Sequence, residues 1–588
     1  MITPTPRRAR FKPPIPYRRV VAGGAAALVL AAGTWWGANT ARAARTVVGR
    51  LPAVTRALAR RHTAVALETL ATLASPAALL EERLAWLTFF RWLPGWGPKI
   101  RSLEWDVALV ATAARASADL VPALRAGSES SHPLHAFLRR LTPRAVLASA
   151  RAAETIERMP ETSWLVPAST VRALSRLKRG LRPWEGLARM ALHHPRGVKT
   201  LLSSTETTRF LVLFQDSGEL RSTGGFLAAY GYLTWHDRRL QLTFEPDIGA
   251  LNNHLTRHLP APWVIREYFH QPRLSFINAN LNPNVPASAR VIEALYRSVP
   301  RHRPVQGIVW VDSWFADAVL RALGPVHAEG TTFTAENLIP LMEAMAERRP
   351  LPGNRRLLFL GSMLNQLKAR AESSVAALTA LGPVVRRGLA DQDVMLYANN
   401  PTVERWLVQK GWAGAIGRLA GVNSFLLVND NYGGLKDNDD LATNVRIQLI
   451  HHAHGAIIER VTTTWTMTGV ADGWMIGTYV GYVECIVPRG TRLLRLSGPH
   501  HHGIRRETWK GLDREVYGTG ILLAARRNPA EPPKVERLTW TFELPRLTHT
   551  GRLVYLLQPG SHAESLTYLR GATWVTEPVH HRLTIHLS

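Results

Sequence analysis

Between Val20 and Ala41 the chain reads VVAGGAAALVLAAGTWWGANTA, a stretch without a single charged residue. As a helix rising about 1.5 Å per residue it reaches roughly 33 Å, close to the hydrocarbon thickness of a bilayer. Lipid offers no partner to a free backbone amide, so such a stretch crosses a membrane as a helix. Arg7, Arg8, Arg10, Lys12, Arg18 and Arg19 precede it, and Arg42, Arg45, Arg50 and Arg56 follow. The heavier basic flank stays in the cytoplasm. The pattern predicts a basic cytoplasmic arm over 1–19 and a transmembrane helix over 20–41. The protein is then single-pass in the plasma membrane, with its bulk outside the cytoplasm. A cleaved signal peptide is the rival reading, because Ala41-Arg42-Ala43 has the small-x-small form of a cleavage site. Both readings export the remainder.

Export narrows the meaning of the charge. Lys and Arg number 72 against 44 Asp and Glu, a net +28, and no acidic residue occurs before Glu68. Such an excess suits phosphate backbones, but an exported chain meets no nucleic acid, and none is expected as a partner. Membrane headgroups, polyprenyl phosphates and anionic glycans use the same electrostatics. The lone cysteine, Cys485, excludes an internal disulfide and a cysteine-rich zinc site. It lies in the apolar run YVECIVP, which predicts a buried, inert thiol.

At 588 residues the chain is too long for one core. Over 46–198 Ala, Leu and Arg recur at helical spacing, with breaks at Ser75-Pro76, at Pro94 to Pro98, near Ser128 to Pro133 and at Pro160. This predicts a helical region. Over 200–423 short apolar runs alternate with helical stretches, as in an α/β domain. GIVWVD reads there as a strand feeding a helix, and 335–419 reads as helical. Over 424–588 seven or eight strand-like runs separated by polar or Gly/Pro turns predict a β-sandwich. The expected fold class is multidomain, α then α/β then β.

The candidate site lies at RFLVLFQDSGELRSTGGFLAAYGY, Arg209 to Tyr232. Two apolar strands flank a connection that carries Asp216, Glu219, Arg221, Gly224 and Gly225. A local salt bridge is the plain explanation of the charges. A Gly-Gly pair, however, also lets a ligand approach backbone N–H groups, as anion-binding nests require. All five residues are therefore candidate ligand contacts.

FLVLFQDSGELRSTGGFLAAYGYLTW, VQGIVWVDSWFADAVLRALGPV, FLLVNDNYGGLKDNDDL and LVYLLQPG occur in that order. In these blocks the chain resembles the bacterial membrane-anchored family known as domain of unknown function 4012. A weaker likeness runs to the LytR-CpsA-Psr cell-wall glycopolymer transferases. It is carried by Arg221, Asp247 in FEPDIG, Asn278-Ala279 in FINAN, and the VDSWFADAVLRALGPV unit. That second resemblance implies arginines on a polyprenyl pyrophosphate and aspartates on Mg²⁺, chemistry that bidentate guanidinium and hard carboxylate ligands support. Arg221 and Asp247 become the candidate catalytic residues, and Arg266, Arg273 and Asn278 further ligand contacts. The chain departs from that pattern at Pro246, where the transferases carry an arginine, and in the asparagines of FINANLNPNVP.

NDNYGGLKDNDD, Asn429 to Asp440, alternates Asp and Asn around glycines. It offers either oxygen ligands for a cation or an ordinary Asx-rich turn. With Asp247, Asp430 and Asp437 are the candidate metal ligands. His500, His501 and His502 read as surface loop residues. No GxSxG, Walker, HExxH or GxGxxG motif occurs. The expected function is recognition of an anionic or polyprenyl-phosphate-linked glycan in envelope biogenesis, by a phosphotransferase if the protein is an enzyme. The alternative is a noncatalytic envelope scaffold.

Overall fold

The computed structural model describes residues 38–586 except 59, 61, 86–90, 92–96, 159–184, 194, 197, 200–205, 246–247, 329, 349–357, 452–455 and 548. The predicted transmembrane stretch up to residue 37, and Asp247, lie outside the described residues. The chain divides into two compact units, 1–126 with 137–203, and 127–136 with 204–588.

The first unit is helical, with a helix over 38–58 followed by Thr63–Ala71, Ala74–Leu84, Gly97–Ser128, Pro143–Glu157 and Glu185–His193. Small side chains dominate its core, where Ala43, Ala77, Ala111 and Ala114 are buried beside Val47, Leu73 and Leu80. Thr142 caps Pro143–Glu157 by accepting from Ala145 N, with proline at the first turn as helix starts favour. Among the described residues Gly97–Ser128 is the helix long and apolar enough to cross a membrane, and half of its most apolar window is buried. It also pairs Asp119 with Arg144 at 3.0 Å and Arg115 with Glu81. Core helices of water-exposed domains share these properties.

The second unit opens with a five-stranded sheet. Its strands are β1 (Thr208–Asp216), β2 (Phe226–His236), β3 (Arg239–Glu245), β4 (Gly307–Val311) and β7 (Val394–Ala398), with a small hairpin of β5 (Val326–Ala328) and β6 (Thr331–Phe333) outside it. The order is β3-β2-β1-β4-β7, with β1 and β4 parallel and the other pairs antiparallel. Both sheet faces are covered. Leu211, Leu213, Ile308 and Trp310 point into a core shared with helix Val285–Tyr296. Their neighbours Val212, Phe214, Val309 and Val311 point the opposite way, as period-two strands require. On that side Ser313–Leu323, Leu358–Glu372 and Val375–Asp391 pack on one another. Strand β7 interrupts the mainly helical stretch expected over 335–419. VMLYA is five residues of apolar run behind a long helix, and periodicity alone cannot separate it from more helix.

The C-terminal part is strand-rich, with two six-stranded sheets. The strands are β8 (Val422–Asn431), β9 (Leu441–His451), β10 (Ile457–Met467), β11 (Thr478–Pro488), β12 (Arg492–Ser497), β13 (His501–Trp509), β14 (Arg514–Ala524), β15 (Lys534–Glu543), β16 (His549–Leu556), β17 (Glu564–Arg570), β18 (Thr573–Pro578) and β19 (Leu583–His586). The orders are β12-β15-β10-β9-β17-β18 and β13-β14-β11-β8-β16-β19. Inward residues of both sheets, including Phe425, Val461, Trp465, Val483, Trp540 and Tyr555, form one core. Cys485 is buried within it, and burial pushes its thiol well up. His501 and His502 belong to the exposed edge strand β13 rather than to a loop.

Candidate functional site

The β1–β2 connection is the point where the distant blocks meet. A bulge at Phe214/Gln215 re-aims the end of β1. Gln215 then clamps the turn, donating from Nε2 to Thr223 O at 2.7 Å and accepting from Thr223 Oγ1 at 2.6 Å. Gly224 sits at φ +116°, and a Cβ there would lie 2.8 Å from Gln215 Nε2. A Cβ on Gly225 would lie 2.4 Å from Asp216 O. The glycines thus let the turn fold tightly against its own strand.

Arg221, 1% exposed, points into this packing. Its Nη2 donates to Glu219 Oε1 at 2.6 Å. Its guanidinium lies 5.0 Å from the Tyr432 ring centroid and 5.9 Å from that of Phe269, within the range of cation–π attraction. Lys436 Nζ bridges Asp216 Oδ2 at 2.9 Å and Glu219 Oε2 at 3.3 Å. Asp430, also buried, accepts from Ser222 Oγ at 2.6 Å and Tyr432 Oη at 3.0 Å. Burial pushes its carboxyl up to about 6, against the pull of Ser222 and Arg221.

Backbone bonds tie the same connection to remote segments. Asn431 N donates to Leu220 O at 2.9 Å, Leu220 N to Asn438 Oδ1 at 3.0 Å, and Gln558 Nε2 to Arg221 O at 3.1 Å. Asn280 Nδ2 donates to Thr223 Oγ1 at 2.8 Å and Gly225 O at 2.9 Å.

The structure therefore gathers Asp216, Glu219, Arg221, Gly224, Gly225 and Asp430 into one place, with Lys436 as their main cationic partner. Asn278 is buried nearby in sequence, but Asn280 is the residue that reaches the turn. Arg266 and Arg273 are exposed, and the helix Trp263–Phe269 sends Phe269, not Arg266, to Arg221. Asp437 is buried; its Oδ1 accepts from Gly477 N at 2.9 Å while its Oδ2 has no hydrogen-bond partner, and Asn431 Oδ1 accepts from Gly433 N at 2.9 Å. Burial, with Asp440 and Asp472 adding repulsion, moves the Asp437 carboxyl up to about 6.

Two further features escape the sequence. The outward face of β1 and β4, with the three helices over it, encloses a cavity of about 480 Å³. Its walls include Val212, Phe244, Val309, Phe315, Met363 and Leu364, while Asp216, Asp312, Ser313, Lys436, Lys368 and Glu372 supply polar groups. Specific small-molecule pockets fall in roughly the 300–1,000 Å³ range and are mainly apolar. The second feature is a cluster at the end of β4, where one donor atom from each of Asp312, Asp393 and His562 lies within 4.8 Å of the others. Burial, reinforced by Asp393, pushes the Asp312 carboxyl well above the ordinary carboxylate range. The only sequence signal was Asp312 closing GIVWVD.

No curated protein matches this chain. The family comparison supports the first resemblance seen in the sequence and offers nothing for the likeness to the LytR-CpsA-Psr transferases. Residues 205–346, which contain the β1–β2 connection, match the model of the family described as protein of unknown function (DUF4012).

Proposed function

We propose that this is a membrane-anchored envelope protein that holds the apolar chain of a polyprenyl-phosphate-linked or similarly lipid-linked anionic glycan without transforming it. In this reading a helical region over 46–198, an α/β domain over 200–423 and a β-sandwich over 424–588 stand outside the plasma membrane. The observation that carries the reading is the apolar cavity of about 480 Å³ against the sheet. An isoprenoid chain gains about 0.8 kcal/mol for each methylene-sized group withdrawn from water, and apolar walls supply that gain. Lys368, half-exposed among the lining residues, is the cation available to a phosphate.

The engagement of both Arg221 terminal nitrogens favours holding over chemistry, although its Nε is buried without a partner. A phosphotransferase needs its arginine to meet the pyrophosphate as charge develops. Here the guanidinium already faces Glu219 and aromatic rings, with its Nη1 directed to Leu220 O at 3.3 Å. A Mg²⁺ held by Asp247 belongs to the transferase version of this reading, and Asp247 lies outside the described residues.

The test is native mass spectrometry of the full chain purified in mild detergent, followed by titration with polyprenyl phosphate. The reading expects a bound lipid, and a loss of at least about tenfold in affinity in Leu364→Trp, which places an indole in the cavity. Wild-type protein that neither carries a lipid nor binds polyprenyl phosphate would refute it.

A further inference from the structure

The cluster at the end of β4 has the chemistry of a metal centre, on residues outside the Asp247, Asp430 and Asp437 set that the sequence suggested. Asp312 closes β4 and caps helix Ser313–Leu323, its Oδ1 accepting from Phe315 N at 2.9 Å. Its other oxygen, Oδ2, is buried and has no hydrogen-bond partner. The residue is only 3% exposed. An isolated carboxylate oxygen withdrawn from water is among the most unfavourable groups a fold can hold. Asp393 lies just before β7, and its backbone oxygen accepts from Asp312 N at 3.1 Å. That bond locks the two acids side by side.

His562 completes the group from the segment after β16. Its Nε2 lies 2.8 Å from Asp393 Oδ1, and its ring stacks on Trp314 with centroids 4.5 Å apart. The imidazole is thus held in a fixed plane, as metal ligands require. No Lys or Arg ion pair to either aspartate occurs among the described residues. Two ligands at about 2.1 Å from a tetrahedral ion stand roughly 3.4 Å apart. A 2.8 Å pair inside a 4.8 Å group reaches that spacing with small side-chain shifts. Beside His562 a cavity of about 110 Å³, lined by Ser217, Trp314, Asn438 and Ser561, gives an approach on the imidazole side.

We infer that Asp312, Asp393 and His562 bind one divalent transition-metal ion of the zinc–manganese class, using two carboxylate oxygens and one imidazole nitrogen. The donor set selects that class, since imidazole suits zinc-like ions while all-oxygen sites suit Mg²⁺ and Ca²⁺. Binding displaces the proton between His562 and Asp393 and supplies the positive charge that the buried Asp312 oxygen lacks. Asp312 also lines the larger cavity, but the fold brings the three donor atoms together whether or not that cavity holds a lipid.

The experiment uses the full chain in detergent, stripped with a chelator and dialysed. Isothermal titration with Zn²⁺, Mn²⁺, Mg²⁺ and Ca²⁺ is read together with metal content and the metal-induced rise in Tm. One equivalent of Zn²⁺ or Mn²⁺ is expected. Asp312→Asn and His562→Gln should each lower that affinity at least about tenfold and remove the Tm rise. Asparagine also caps helices, so Asp312→Asn retains the fold. Absence of Zn²⁺ and Mn²⁺ binding, binding of Mg²⁺ or Ca²⁺ alone, or equal binding in both variants, which places the ion on surface histidines such as His500–His502, would overturn the assignment.

Discussion

Two buried charge clusters stand at the same end of the central sheet and differ in how their acids are partnered. The cluster around Arg221 pairs each acid: Asp216 and Glu219 meet Lys436, Glu219 meets Arg221, and Asp430 takes two hydroxyls. The cluster around Asp312 holds two carboxylates and a histidine, and one of its oxygens has no partner. A cluster whose carboxylate oxygens are all partnered fastens segments together and has none left for a metal, although Arg221 Nε is itself buried without a hydrogen-bond partner. One with an unpartnered carboxylate oxygen suits binding. The arginine that draws the eye in the sequence is thus bound into its own ion-pair network, and the proposed metal ligand is the inconspicuous aspartate after β4.

The comparison breaks most sharply at Arg221. Removing one partner of a buried ion pair leaves the other uncompensated, so Arg221→Ala should lose about 3–5 kcal/mol in urea unfolding. An unfolding midpoint equal to wild type would return Arg221 to the list of ligand contacts.

Glu459 offers an intermediate case, a fully buried acid with only Asn423 Nδ2 at 2.8 Å and no cation. Burial raises its folded-state pKa to about 7, with the Asn423 hydrogen bond opposing. A raised carboxyl contributes stability that is complete below the unfolded-state value near 4.5 and is lost as pH rises through about 7. Thermal unfolding should show lower stability at pH 8.5 than at pH 5. Glu459→Gln should recover on the order of 3 kcal/mol at the higher pH and change little at the lower one. A gain from Glu459→Gln that is the same at both pH values, or absent at both, would contradict the burial argument.

Gly224→Ala probes the packing rather than the charge. Its positive φ and the approach of Gln215 predict a loss of about 1–3 kcal/mol, measurable by the same unfolding curves. An unchanged midpoint would mean the turn is looser than described. The smallest effect belongs to the exposed arginines. Arg266→Ala and Arg273→Ala should stay within about 0.5 kcal/mol of wild type, and a larger loss would place them in contacts the surface position does not explain.

The strands around the site were legible because FLVLF and FLAAYGYLTW are short apolar runs broken by a Gly-Gly turn, and turn chemistry is local. The gathering of Asp216, Glu219 and Arg221 was legible for the same reason. Lys436 was not, because it is brought back from the far end of a β8 loop, and no local pattern records that approach. The same holds for His562, which reaches Asp393 across a separation of 169 residues. Asn280 was hidden among four similar asparagines, only one of which the fold turns toward Thr223. Strand β13 escaped because both faces of this edge strand are exposed, so it lacks the alternation that marks a half-buried strand.

The most direct measurement is a double-mutant cycle between Arg221 and Glu219, with Arg221→Met, Glu219→Gln and the pair compared by urea unfolding. If the cluster is a structural ion-pair network, each single change costs about 3 kcal/mol or more and the double change costs far less than their sum. Losses that add, or single changes that leave stability untouched, would contradict the account.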